Sequence, residues 1–226
     1  MIIVNNEKKY PMSYEASDFV NIGDTIPDVI LEIRYYSTYN FIGDRIDGYE
    51  QPTALLTKEA AKALKAASDT FIQKGYRIRL LDAYRPQRAV DHFVRWAKDK
   101  DDIRMKNIFY PDVNKEDLFL KGFIAAHSGH SRGSTVDITL FDMKSGLNLD
   151  MGGYFDFFGQ SSFSNHKDIT TIQRNNRDLL KDVMQDNGFL PIQEEWWHFT
   201  LKDEPFPDTY FDFPVSVNSL KIKDYS

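Results

Sequence analysis

Four side chains able to bind a metal or move a proton stand in two short segments, and a fold in which they act on one ion must bring those segments together. The first segment reads Ser128-Gly129-His130-Ser131-Arg132-Gly133-Ser134-Thr135-Val136-Asp137, and the second reads Glu195-Trp196-Trp197-His198. Two imidazoles and one carboxylate are a ligand set for a catalytic zinc, which keeps three protein ligands and leaves a fourth position to water. A further carboxylate that does not bind the metal can act as general base toward that water. The two segments thus contain every group that metal-assisted hydrolysis requires.

Local patterns place these segments in a mixed fold. Thr57 is an N-cap with Glu59 in the first turn. Ala61, Leu64, Phe71 and Ile72 follow on one helical face, and Gly75 is the stop. From Tyr76 to Leu81 the residues Tyr76, Ile78 and Leu80 alternate with Arg77, Arg79 and Leu81, a strand pattern. That strand runs into Asp82-Ala83-Tyr84-Arg85-Pro86. Pro86 fits the first helical position, with Val90, Phe93, Val94 and Ala97 on one face after it. Arg85 then sits at a strand-to-helix junction. Val136, Ile138 and Leu140 alternate with Thr135, Asp137 and Thr139, so Asp137 faces away from the core, toward a cleft or solvent. A third helix is expected over Asn175–Asn187, ending at Gly188, and a strand over Trp196–Leu201. Without regular βαβ spacing, the pattern reads as α+β, an antiparallel sheet with flanking helices.

One spacing conflicts with this layout. Glu195 and His198 are three residues apart, and an unbroken strand would point them to opposite faces. Both meet one metal only if Glu195 lies in the loop before the strand or a bulge bends the strand.

Composition narrows the function classes. The chain has 226 residues, 42% of hydrophobic type, enough for one sizeable core and consistent with a single domain over 1–226. Its net charge of -6 comes with no like-charge block resembling a nucleic-acid arm or a membrane-binding patch. With no cysteine, thiol catalysis, thiolate metal sites and disulfides are excluded. The opening Met-Ile-Ile-Val run is too short for a signal-peptide core, and no stretch spans a bilayer, so a cytoplasmic location is expected.

Each candidate residue also has a plain structural role open to it. Asp137 can bond neighbouring Ser or Thr in a polar turn, and Glu195 can form a salt bridge at a strand end. Arg85 can hold a carbonyl oxygen as it gains negative charge, or simply pair with Asp82. Asp156, inside Tyr154-Phe155-Asp156-Phe157-Phe158, needs a partner if buried, either a substrate ammonium or a backbone turn. For His92, His127 and His166 the structural role is preferred.

The segments Asp82-Ala83-Tyr84-Arg85-Pro86, Ser128 to Asp137 and Glu195-Trp196-Trp197-His198 resemble those of the D-alanyl-D-alanine dipeptidases, VanX-type zinc peptidases of family M15. The similarity runs from about Tyr35, through Asp47-Gly48-Tyr49-Glu50, to Asp203-Glu204-Pro205 and Tyr210-Phe211-Asp212-Phe213-Pro214. It implies one Zn²⁺ per chain held by His130, Asp137 and His198, with Glu195 as base and acid and Arg85 on the scissile carbonyl. It also implies that Tyr35, Ser128 and Asp156 hold a small dipeptide, with Asp156 near its ammonium. The implied fold is the one shared by zinc D,D-peptidases and the hedgehog signalling domain. A D,D-carboxypeptidase acting on longer peptidoglycan stems and a non-catalytic zinc-binding module of the same fold are the alternatives. Oligomeric state, and a vancomycin-resistance role as against recovery of the dipeptide as nutrient, stay open.

Overall fold

The computed structural model describes residues 11–118 and 123–221; the N-terminal apolar run lies outside them. Three long helices and one main sheet dominate. Helix α1 (Lys58–Gln73) is capped by the Thr57 hydroxyl, which accepts from the Ala60 N–H, and Gly75 follows at φ 90°. Its buried residues Ala60, Ala61, Leu64, Ala67, Ser68 and Phe71 recur at helical spacing. Helix α2 (Gln87–Lys98) buries Val90, Phe93, Trp96 and Ala97. Pro86 is its cap, in extended conformation, rather than its first helical residue. Helix α3 (Thr171–Asp186) starts earlier than the periodicity implies. The Thr170 hydroxyl accepts from Gln173 N–H while the Gln173 side chain accepts from Thr170 N–H, a reciprocal cap that fixes the start.

The main sheet contains β1 (Ile30–Leu31), β2 (Tyr76–Asp82), β3 (Thr135–Asp142), β4 (Leu147–Asn148), β5 (Phe189–Pro191) and β6 (His198–Leu201). The order is β1-β2-β3-β6-β5, with β4 also pairing β3. All pairings are antiparallel except the edge pair β1–β2, which is parallel and departs from the expected all-antiparallel sheet. Val136, Ile138 and Leu140 are fully buried on the core side of β3, and helix α1 packs on β2. A second aromatic layer joins α2 to the loops, with the Phe93 ring 5.1 Å from Tyr35 and 4.9 Å from Phe41.

Two register details aim the site. Leu80 pairs with Ile138, but the next pair along is Asp82 with Asp137, so β2 carries one extra residue, a bulge at Leu81. Strict alternation would put Asp82 on the core side with Leu80; the bulge turns it to the Asp137 side. Asp137 in turn pairs with His198. Asp82, Asp137 and His198 thus form a row across three neighbouring strands. Among the described residues, no helix is long and apolar enough to cross a membrane.

Candidate active site

His130 reaches this row from a single tight turn. Residues Gly129–Arg132 form a 3₁₀ turn capped by the Ser128 hydroxyl, which accepts from His130 N–H at 3.3 Å. Gly133 ends the turn at φ 81°, where a Cβ would stand 2.3 Å from the Phe19 ring, so only glycine fits. The turn is fastened outside by Arg132, which pairs with Glu204 at 2.6 Å. The Asp82–Pro86 segment is fastened by Tyr84, whose hydroxyl donates to the Phe213 carbonyl at 2.9 Å and whose ring stacks on Phe213. These contacts give the C-terminal segments their work: they brace the two elements that carry Arg85 and His130.

The three expected metal ligands converge. His130 Nε2 lies 3.3 Å from Asp137 Oδ2, His198 Nδ1 lies 3.2 Å from Asp137 Oδ1, and the two ring nitrogens are 3.3 Å apart. The donor atoms of this group all lie within 4.8 Å of one another. His130 Nδ1 is 2.7 Å from the Ala83 carbonyl oxygen. A carbonyl only accepts, so Nδ1 carries the proton and Nε2 presents its lone pair to the cluster. Asp137 is 1% exposed, and its Oδ1 accepts no hydrogen bond. A buried carboxylate that turns one oxygen to each of two imidazole nitrogens, with Oδ1 accepting no hydrogen bond, fits a cation at that point.

The electrostatics agree with that fit. Burial opposes ionisation of Asp137, yet the His130 and His198 rings beside it hold its carboxyl well below the usual range. Burial also opposes a charge on His198, but Asp137 and then Glu195 outweigh it and push the imidazole up to about 9. A metal held by these groups would supply positive charge at the same point.

Glu195 stands in the loop before β6, followed by a turn at Trp196–Trp197, and β6 begins only at His198 rather than at Trp196. The loop alternative to a bulge is therefore the one realised. Glu195 Oε2 comes within 3.4 Å of His198 Nδ1. Trp197, fully buried, packs edge-on to Phe155 and to Trp196, both at 5.3 Å.

Arg85 makes the ion pair with Asp82 that its spacing offers, at the wall of the cavity. Its Nε donates to Asp82 at 2.9 Å, its Nη2 approaches Asp137 at 3.6 Å, and the guanidinium sits 4.8 Å over the Tyr35 ring. Asp82 is fully buried and also accepts from the Tyr49 hydroxyl at 2.6 Å. The pairing of Arg85 with Asp82 was open to the sequence, whereas the Tyr49 hydroxyl that fixes Asp82 was not legible there, although Tyr49 stands in a segment that carries the resemblance. Tyr35 reaches across to the other end of the site, donating to Asp156 Oδ2 at 2.9 Å. Asp156 is buried and occupies φ 59°, a left-handed conformation uncommon outside glycine. Burial first, then the charges of Asp137 and Glu195, drive its carboxyl well above the usual range, against Arg85 and Tyr35.

These residues line one cavity of about 240 Å³, which holds Tyr35, Arg85, Ser128, Asp156 and Glu195 together with the three convergent ligands. His127 also lines it, with its ring 4.9 Å from Tyr210. His92 lies outside the cavity, where its Nδ1 accepts from Asp47 N–H, and His166 serves a loop turn.

A convergent His-Asp-His set with an unligated carboxylate and a fixed guanidinium at one cavity is the equipment of a metal-dependent hydrolase. The sequence profile of the family described as D-Ala-D-Ala dipeptidase matches residues 15–216, and the chain belongs to that family. It is 40% identical over 198 residues to a D-alanyl-D-alanine dipeptidase of Enterococcus faecalis, covering 88% of this chain and 98% of the relative. It is 39% identical over 201 residues to the dipeptidase of that name from Streptomyces coelicolor, covering 89% of this chain and all of the relative. Among solved structures it is similar to the vancomycin-resistance D,D-pentapeptidase VanY in complex with Zn(II), at 13% identity and TM-score 0.40, over 70% of this chain and 78% of that one.

Proposed function

We propose that the protein is a zinc-dependent dipeptidase that splits D-Ala-D-Ala into two molecules of D-Ala, with the whole chain acting as one domain. The observation that carries this reading is the distribution of charge along one small cavity. Three convergent ligands and a free glutamate stand at one part of it, and a buried acid with a tyrosine hydroxyl stands at another. Binding pockets for drug-sized ligands usually run to some 300–1,000 Å³. A cavity of about 240 Å³ suits a smaller ligand, and a dipeptide brings both an ammonium and a carboxylate to be recognised.

His130, Asp137 and His198 would hold the zinc, one ion per chain. When bound there, zinc supplies Lewis acidity toward a water and toward the scissile carbonyl oxygen. Glu195, beside His198 but outside the ligand set, takes the proton from the attacking water and later delivers it to the departing amine nitrogen. Arg85, held by Asp82 and stacked over Tyr35, presents a fixed positive charge to the carbonyl oxygen as it becomes negative. Its position costs no rearrangement when that charge develops. Asp156 and Tyr35 receive the substrate ammonium, whose arrival restores the ionised carboxylate that burial disfavours. Ser128, at the head of the His130 turn, helps to hold the dipeptide.

A panel of stereoisomeric dipeptides, a longer D,D-terminating stem peptide and chelator-treated controls tests this reading. Rapid release of D-Ala from D-Ala-D-Ala, abolished by chelator, is expected. Preferred cleavage of the longer stem would turn the assignment to a D,D-carboxypeptidase. Bound zinc with no turnover of any D,D-peptide would leave only a binding module.

A further inference from the structure

Arg177, on helix α3, is a buried cation with no ion-pair partner among the described residues. It is 4% exposed, yet among the described residues its guanidinium donates to backbone carbonyls. Nε donates to Met151 at 2.6 Å, Nη2 to Ser161 at 2.7 Å and Nη1 to Phe163 at 2.8 Å. Burial, and then the neighbouring Arg174 charge, pull it down to about 10, against Asp150. A charge in such surroundings is unfavourable unless fully hydrogen-bonded. The planar fork spreads its donors over three nitrogens, and a lysine ammonium, with all its donors on one atom, does not reproduce that geometry.

The carbonyls are the two ends of one loop. Met151 leads in, Ser161 and Phe163 lead out, and Asp156 at φ 59° lies between them. The approach is so close that a Cβ on Gly153 would stand 2.6 Å from the Ser161 oxygen and 3.2 Å from Arg177 Nη2. The same guanidinium lies 5.6 Å from the centre of the Trp196 ring, and Trp196 N–H donates to the Ser162 carbonyl at 2.9 Å. One side chain therefore joins the loop bearing Asp156 to the segment bearing Glu195.

We propose that Arg177 is a positioning residue for recognition of the substrate's free amine: it clamps both ends of the Met151–Phe163 loop and thereby holds Asp156 against Tyr35. This rests on Asp156 being the ammonium acceptor, as read above. Arg177 itself touches no substrate. An otherwise unfavourable buried charge is retained because a backbone in a strained conformation at Asp156 needs over-determined ends.

The test uses the full-length, zinc-loaded protein and the variants Arg177→Lys, Arg177→Gln and Gly153→Ala. Two quantities are read: amide hydrogen exchange across residues 152–162, and kcat and KM for D-Ala-D-Ala and for its N-acetylated form. Faster exchange in the loop is expected, by about tenfold or more, with the amides of β3 and β6 unchanged. KM for the free dipeptide should rise about tenfold with kcat within about twofold, and preference over the acetylated form should fall by the same factor. Unchanged loop exchange in a folded, zinc-loaded variant overturns the proposal, as does a kcat loss with the amine preference intact. If both Arg177 variants fail to fold, Gly153→Ala, which keeps the cation and crowds the clamp, carries the same expectations. A wild-type enzyme indifferent to acetylation sinks the role given to Asp156, while loop exchange still decides whether the clamp exists.

Discussion

The ligand end and the amine end of the cavity are built in opposite ways. Asp137 and His198 face each other on adjacent strands of the main sheet, and His130 hangs from a turn pinned to both flanks. Asp156 stands on an irregular loop, in a strained conformation, held by one hydroxyl and by a distant helix. Strand register delivers ligand geometry at little cost, because cross-strand neighbours are already within reach. A loop delivers a buried acid only if its ends are anchored elsewhere. Damage to the first region should therefore remove the metal and the chemistry, and damage to the second should weaken binding alone.

The largest effect expected is that of Asp137→Ala. It should abolish zinc binding, measured by metal analysis after dialysis, and with it all turnover. Retained zinc at one equivalent would break the contrast at its stronger end. Next comes Glu195→Ala, for which kcat should fall by about 10²–10⁴. Its zinc content should stay unchanged, because Glu195 lies outside the ligand set. On the loop, Asp156→Asn should raise KM by roughly ten- to a hundredfold, the scale of a lost hydrogen bond to a charged group, with kcat and zinc content close to wild type. A fall in kcat at constant KM would place Asp156 in the chemistry rather than in binding. The smallest effect is expected at Thr170→Ala, which removes the reciprocal cap of α3. Thermal unfolding should report a loss of about 1 kcal/mol, with kcat and KM unaltered.

The same contrast explains what could be read from the chain alone. Helix α1 and strand β2 were visible because caps and periodicity are local. The three-residue spacing of Glu195 and His198 ruled out an unbroken strand and left a loop or a bulge, of which the structure has the loop. The parallel edge pair and the bulge at Leu81 were not visible, since register depends on a partner strand far along the sequence. That bulge is what brings Asp82 round to Arg85. The early start of α3 did have a signal, Thr170 three residues before Gln173. So did Arg177, which interrupts an apolar stripe completed by Leu180 and Met184. Charged residues on such a stripe read as solvated until the structure shows what covers them. His130, Asp137, His198 and Asp156 were singled out from their local sequence, and the family resemblance turned each candidate into a definite role.

The most direct test of the account is stepwise return of Zn²⁺ to chelator-stripped protein, with bound metal and D-Ala release from D-Ala-D-Ala followed together. Activity is expected to rise in proportion to metal and to level off at one equivalent per chain. Full turnover by the stripped protein, or tight uptake of zinc with no turnover at saturation, would contradict it.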